Sequence, residues 1–262
     1  MNILHIMKRI IALLISIYTK KNIEVKFRRD YDSPELDAKI KLAFFTPHKK
    51  DVKNVIYHIY DMIPQIFSGI EVISNSFMAI PTRFLWAWVQ MTKMFGCVGV
   101  AQPDFVLFKR RFIDYFIPSI FNFDGPFGVV ATVAHELGHH VFYLVNNKKH
   151  IYPYGVMRHY LGDILRKMAI AWMDYNREKD IYDSYMLENE EEAVAVIFEY
   201  ALFYEKKSWP EMQLMAFIES ISAMNWYELS GEYEPDVYRM KERELIERIE
   251  AIHPIGLKEA VD

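Results

Sequence analysis

Apolar positions recur at intervals of three and four between Asp51 and Phe67. Val52, Val55, Ile56, Ile59, Tyr60 and Ile63 lie on one face of a predicted helix whose end Pro64 bends or shortens. Runs of strand character flank it: Ile40 to Phe45, stopped by Thr46-Pro47, and Ile70 to Ile73 after Gly69. This strand–helix–strand order predicts a small sheet with a helix packed on it. Upstream, Ile23 to Arg29 alternates loosely as a strand. Asp30 to Pro34 forms a turn from which Pro34 opens a short helix through Leu36. Downstream, Phe77 to Phe95 is apolar and aromatic, helical after Pro81, with Trp86 and Trp88 read as packing residues. Cys97 to Val100 and Phe105 to Phe108 read as two strands around Gln102-Pro103-Asp104, and Lys109-Arg110-Arg111 as a solvated strand end.

A long apolar run then extends from Pro126 to Val145, with Asp124-Gly125-Pro126 as its helix-start signal. Beyond it the periodicity is helical almost throughout: Met157 to Tyr175, Asn189 to Tyr204, Trp209 to Met224, and Pro235 to Ile252, closed by His253-Pro254. No linker or internal repeat divides the chain. The expected fold class is therefore α+β, a single domain over residues 23–262 with the sheet first and the helices after. Residues 1–22 stand apart. Lys8 and Arg9 precede the apolar run 10–18, which as a helix covers about half of the ~30 Å bilayer core. Lys20 and Lys21 follow where a signal peptide needs small residues. A docking or interfacial helix fits best, with an export signal or a membrane anchor as alternatives, and the apolar run 10–18 is compatible with membrane contact.

Composition narrows the function classes. Across 262 residues, 52% are hydrophobic and 25% charged, which is a globular balance. A net charge of −4 without a dense basic run gives nucleic acid no footprint. The single cysteine, Cys97, excludes an intrachain disulfide framework, leaving a cytoplasmic or an exported location open.

The chemistry is concentrated in the apolar run, which contains His135-Glu136-Leu137-Gly138-His139-His140. Four residues apart on a helix, His135 and His139 can aim at one point, as in an H-E-x-x-H zinc site. There Glu136 would act as general base towards water. One peptidase class adds a helix-breaking glycine and a further histidine; Phe142 and Val145 occupy those places, so the third ligand must come from elsewhere. The acidic run Glu188 to Glu192 opens a later helix. Glu192 shares a face with Ala195, Val196 and Glu199, and can turn inward among apolar neighbours. Glu188, one turn earlier, is its main rival. Glu190 and Glu191 are expected to be solvated, their acidity explained by the helix dipole. His140, His150 and His159 are weaker candidates.

These residues, together with Ser184-Tyr185, Asn189 and Glu192-Ala193-Val194-Ala195-x-x-Phe198, resemble the catalytic domain of anthrax lethal factor and its zinc metallopeptidase relatives. The family pattern is H-E-x-G-H followed by a helix N-E-x-E-x-x-A-x-x-F. The resemblance covers roughly Ile40 to Tyr204. It implies a zincin-like metallopeptidase domain of gluzincin type, binding one catalytic Zn²⁺ through His135, His139 and Glu192. It also implies an oxyanion-stabilising tyrosine seven residues before the ligand, at Tyr185, with Tyr182 as fallback. The implied activity is zinc-dependent endopeptidase cleavage of a peptide or protein; a zinc-bound module that holds a partner without hydrolysis is the alternative. The chain departs from the family at Val196, where a second acid often stands, leaving open what supports the histidines.

Overall fold

Pro34 opens the first described helix, and Pro64 follows the end of the second. The Ser33 hydroxyl accepts the Leu36 N–H (3.4 Å) ahead of α1 (Pro34–Lys39), and Pro34 fills a position whose N–H has no helical partner. Strand β1 (Ile40–Leu42) follows, then α2 (Lys49–Met62). Pro64 cannot donate to the helix ladder, so α2 stops before it and the chain continues as a 3₁₀ turn, Pro64–Phe67. The computed structural model describes residues 33–42, 49–67, 71–74, 99–102, 105–108, 129–146, 156–203, 207–224 and 235–257. The terminal run 10–18, the strand expected over 23–29, the aromatic stretch with Trp86 and Trp88, the basic cluster at 109–111 and His150 lie outside them.

The chain groups into two compact units. The first comprises residues 1–58 and 71–133, the second 59–70 and 134–262. In the first unit, β1, β2 (Glu71–Ser74), β3 (Gly99–Gln102) and β4 (Phe105–Phe108) form a sheet of order β1-β2-β4-β3. β2 runs parallel to both β1 and β4, with Val72 opposite Ile40 and Val106; β3 runs antiparallel to β4, with Val100 opposite Leu107. The β1–β2 connection carries α2, as a parallel crossover requires. Asp37 ties α1 to α2 by accepting hydrogen bonds from Lys53 Nζ (2.7 Å) and the Tyr57 hydroxyl (2.6 Å).

Among its described residues the second unit contains helix and no strand. Its elements are the Pro64–Phe67 turn, the larger part of α3 (Val129–Val145), α4 (Val156–Lys179), a 3₁₀ turn Ser184–Leu187, α5 (Glu190–Phe203), α6 (Trp209–Ser222) and α7 (Pro235–Ile252). Trp172, Phe198 and Phe217, from α4, α5 and α6, are fully buried at its centre. Buried Gln213 links three helices, accepting the Trp172 indole N–H (3.0 Å) and donating to the carbonyls of Ile249 (3.2 Å) and His253 (2.8 Å). Ala193 to Phe198 are six consecutive buried residues, so α5 is enclosed rather than amphipathic.

The α+β class is thereby corrected. The described residues are almost entirely helical, with six helices of 14 to 24 residues against four strands of three or four. The physical reason is length. Short β-branched runs suggest strands wherever they occur, but only sustained helical periodicity buries enough surface here to organise the unit that holds the motif. Among the described residues no helix is long and apolar enough to cross a membrane.

Candidate metal centre

A helix enclosed by apolar neighbours carries polar side chains at a cost unless something satisfies them. α3 buries Val130, Val133, Ala134, Leu137, Val141 and Leu144, yet Glu136, His139 and His140 are buried among them. Helical spacing brings the rings of His135 and His139 together edge to face, with centroids 5.0 Å apart.

α5 supplies the acid. Asn189 caps it: the Asn189 side-chain oxygen accepts the Glu192 N–H (3.0 Å), and its carbonyl accepts the Ala193 N–H (3.0 Å). This cap starts the helix at Glu190 and sets Glu192 in the third helical position, where the dipole favours a carboxylate. Gly138 brings the two helices together. A Cβ at this position would stand 2.8 Å from Ala195 Cα and 3.1 Å from Phe198 Cβ, so only glycine permits the approach. Glu192 Oε2 then lies 3.3 Å from His135 Nε2 and 3.4 Å from His139 Nε2.

Those separations suit a small tetrahedral cation. Zinc bonds of about 2.0–2.1 Å to nitrogen and oxygen give a tetrahedron with edges of roughly 3.3–3.4 Å. His135, His139 and Glu192 each offer one ligand atom, all within 4.8 Å of one another, so the group can hold a metal ion. Two imidazoles and one carboxylate leave the fourth corner open, as in hydrolytic zinc sites.

The surroundings are strongly electronegative. Burial pushes the His135 imidazole down, but Glu192, Glu199 and Glu136 outweigh it and raise its pKa to about 10. Glu199 Oε2 lies 3.6 Å from His135 Nδ1, and Glu191 Oε1 lies 3.4 Å from His139 Nδ1. Glu191 also accepts a hydrogen bond from the Tyr143 hydroxyl at 2.6 Å. Burial, then this contact, keeps the Tyr143 phenol protonated well above its usual range. The Tyr143 ring stacks near His139, with centroids 6.3 Å apart.

The other sequence-derived candidates fall into place around this group. Tyr185 sits on the turn before α5, 43% exposed, its ring 6.2 Å from that of His135. Asp183 accepts the Tyr185 N–H (3.0 Å), and buried Asn176 holds the preceding loop by accepting the N–H groups of Ile181 (3.0 Å) and Tyr182 (2.8 Å). The Tyr182 hydroxyl is hydrogen-bonded to Ser208 at the start of α6. Glu188 is exposed and stands outside the metal-capable group. His140 is fully buried, edge to face with Tyr143 at 5.3 Å, and is also outside it.

Two expectations change. Glu191 is not simply solvated: it accepts the Tyr143 hydroxyl and lies 3.4 Å from His139 Nδ1. The open question at Val196 meets a carboxylate from further along, at Glu199. Glu199 is two turns beyond Glu192 and Tyr143 one turn beyond His139, so face periodicity alone could have marked both. Comparison with protein-family models, with curated proteins and with solved structures gives no match.

Proposed function

We propose that the protein is a zinc-dependent endopeptidase of the lethal-factor type, built on His135, His139 and Glu192 as ligands. The observation that carries this reading is the convergence of three donor atoms within 4.8 Å of one another, the Glu192 oxygen 3.3 and 3.4 Å from the two histidine nitrogens, on the helix that carries Glu136. The sequence resemblance supports the choice of reaction.

Zinc held there supplies Lewis acidity, lowering the pKa of water towards ~7 and polarising a peptide carbonyl. Glu136, buried next to His135, takes a proton from the attacking water at its carboxylate and returns it to the leaving amine as the C–N bond breaks. The Tyr185 hydroxyl, on a half-exposed side chain beside His135, donates to the oxyanion that develops on the substrate carbonyl. Asn176 and Asp183 keep that turn in place before α5.

The direct test is digestion of a peptide library, with and without a zinc chelator, read by mass spectrometry. Cleavage that stops on chelation and returns with added zinc is the expected result. Stoichiometric zinc without any cleavage would instead indicate a module that holds a partner and does not hydrolyse it.

A further inference from the structure

Each of the two imidazoles has one nitrogen directed at Glu192 and one directed away from it. The outward nitrogens both meet a carboxylate of the same helix. His135 Nδ1 lies 3.6 Å from Glu199 Oε2, and His139 Nδ1 lies 3.4 Å from Glu191 Oε1. Both gaps are a few tenths of an ångström beyond hydrogen-bond length, within reach of a small side-chain rotation. The Tyr143 hydroxyl donates to the same Oε1 of Glu191 at 2.6 Å, which restricts where that carboxylate can swing.

We propose that Glu191 and Glu199 are positioning residues for the metal centre, and that Tyr143 acts through Glu191 on His139. The proposal rests on the zinc reading above. A carboxylate accepting the Nδ1–H of a histidine fixes the tautomer, so that Nε2 presents its lone pair, and it fixes the ring plane as well. Here α5 provides the ligand and both supports from positions 191, 192 and 199, and α3 provides both rings and the tyrosine. Every part of the centre therefore sits on two helices whose spacing Gly138 sets. The arrangement explains how the chain dispenses with an acid at Val196: the support for His135 comes one turn later, and His139 has its own.

The alternative account is that these acids only add negative charge around a cation. Tyr143 separates the two accounts, because Tyr143→Phe removes a hydrogen bond and no charge. The measurement is zinc affinity by competition with a chromogenic chelator, together with the visible absorption of the cobalt-substituted protein, whose bands follow ligand geometry. Wild-type protein, Tyr143→Phe, Glu191→Gln, Glu199→Gln and a control, Glu188→Gln, are compared, with circular dichroism of the metal-free forms as the check on folding. Expected are losses of roughly 10- to 100-fold in zinc affinity for the Glu191 and Glu199 variants. Tyr143→Phe should show a smaller loss, with altered cobalt bands in all three and no change for Glu188→Gln. Equal losses for Glu188→Gln and the two support variants, with Tyr143→Phe unchanged in affinity and spectrum, overturn the positioning role while leaving the zinc site standing. Wild-type protein that binds no zinc overturns the zinc reading and this proposal with it. If Glu199→Gln fails to fold, Tyr143→Phe and Glu191→Gln decide the matter at His139.

Discussion

Glu192 is one carboxylate serving two imidazoles, and its environment separates it from the acids on either side. Glu188 lies before the helix and is exposed, whereas Glu192 is held at the third helical position by the Asn189 cap. If the Tyr185 hydroxyl stabilises the oxyanion, Tyr185→Phe lowers kcat by roughly 10²–10³-fold. Zinc content should be unchanged, since the tyrosine is not one of the metal-capable group. Steady-state kinetics beside metal analysis checks this; a variant with full turnover removes Tyr185 from the mechanism. Burial alone would not have found this residue, because Tyr185 is among the more exposed aromatic side chains.

At the scale of elements, the contact between α3 and α5 depends on the absence of one methyl group. Gly138→Ala places a Cβ 2.8 Å from Ala195 Cα, a backbone atom that cannot rotate away. The helices must separate, costing about 1–3 kcal/mol by overpacking. Zinc affinity should fall with them as Glu192 is drawn off the histidines. Chemical denaturation and zinc titration of the variant measure both; stability and affinity equal to wild type would show that the approach is not required. Much of this architecture was legible beforehand. Periodicity located α4 to α7 because long helices repeat their apolar pattern several times, and Pro64 and Pro235 marked an end and a start through their missing N–H. The fold class was not legible, because runs as short as Ile40–Leu42 and Glu71–Ser74 carry too little pattern to weigh a sheet against helices. Face geometry identified Glu192 but misjudged Glu191, since an enclosed helix such as α5 meets neighbours on more than one face. The close approach at Gly138 was equally invisible, because it depends on which helix lies opposite.

For the molecule as a whole, the chain groups into two compact units. Asp37 belongs to the first, where hydrogen bonds from Lys53 and Tyr57 hold its carboxyl below the ordinary value of 3.8. A depressed carboxylate contributes stability above its unfolded pKa and loses it as pH falls through the folded value. Acid unfolding below about pH 4 should therefore be shallower in Asp37→Asn than in wild type. The neutral-pH penalty should stay under about 1 kcal/mol, because the Lys53 pair is partly exposed and screened. Fluorescence-monitored unfolding across pH tests the sign, and a steeper acid limb would refute it. The second unit contains all the residues of the proposed centre, and the proposed hydrolysis turns on Glu136, which a metal site does not need merely to keep its ion. The most direct measurement is therefore turnover and zinc content of Glu136→Gln against a peptide that the wild-type protein cleaves. The account predicts one zinc per chain and turnover reduced by at least ~10²–10⁴-fold; a zinc-loaded variant that cleaves at the wild-type rate would contradict it.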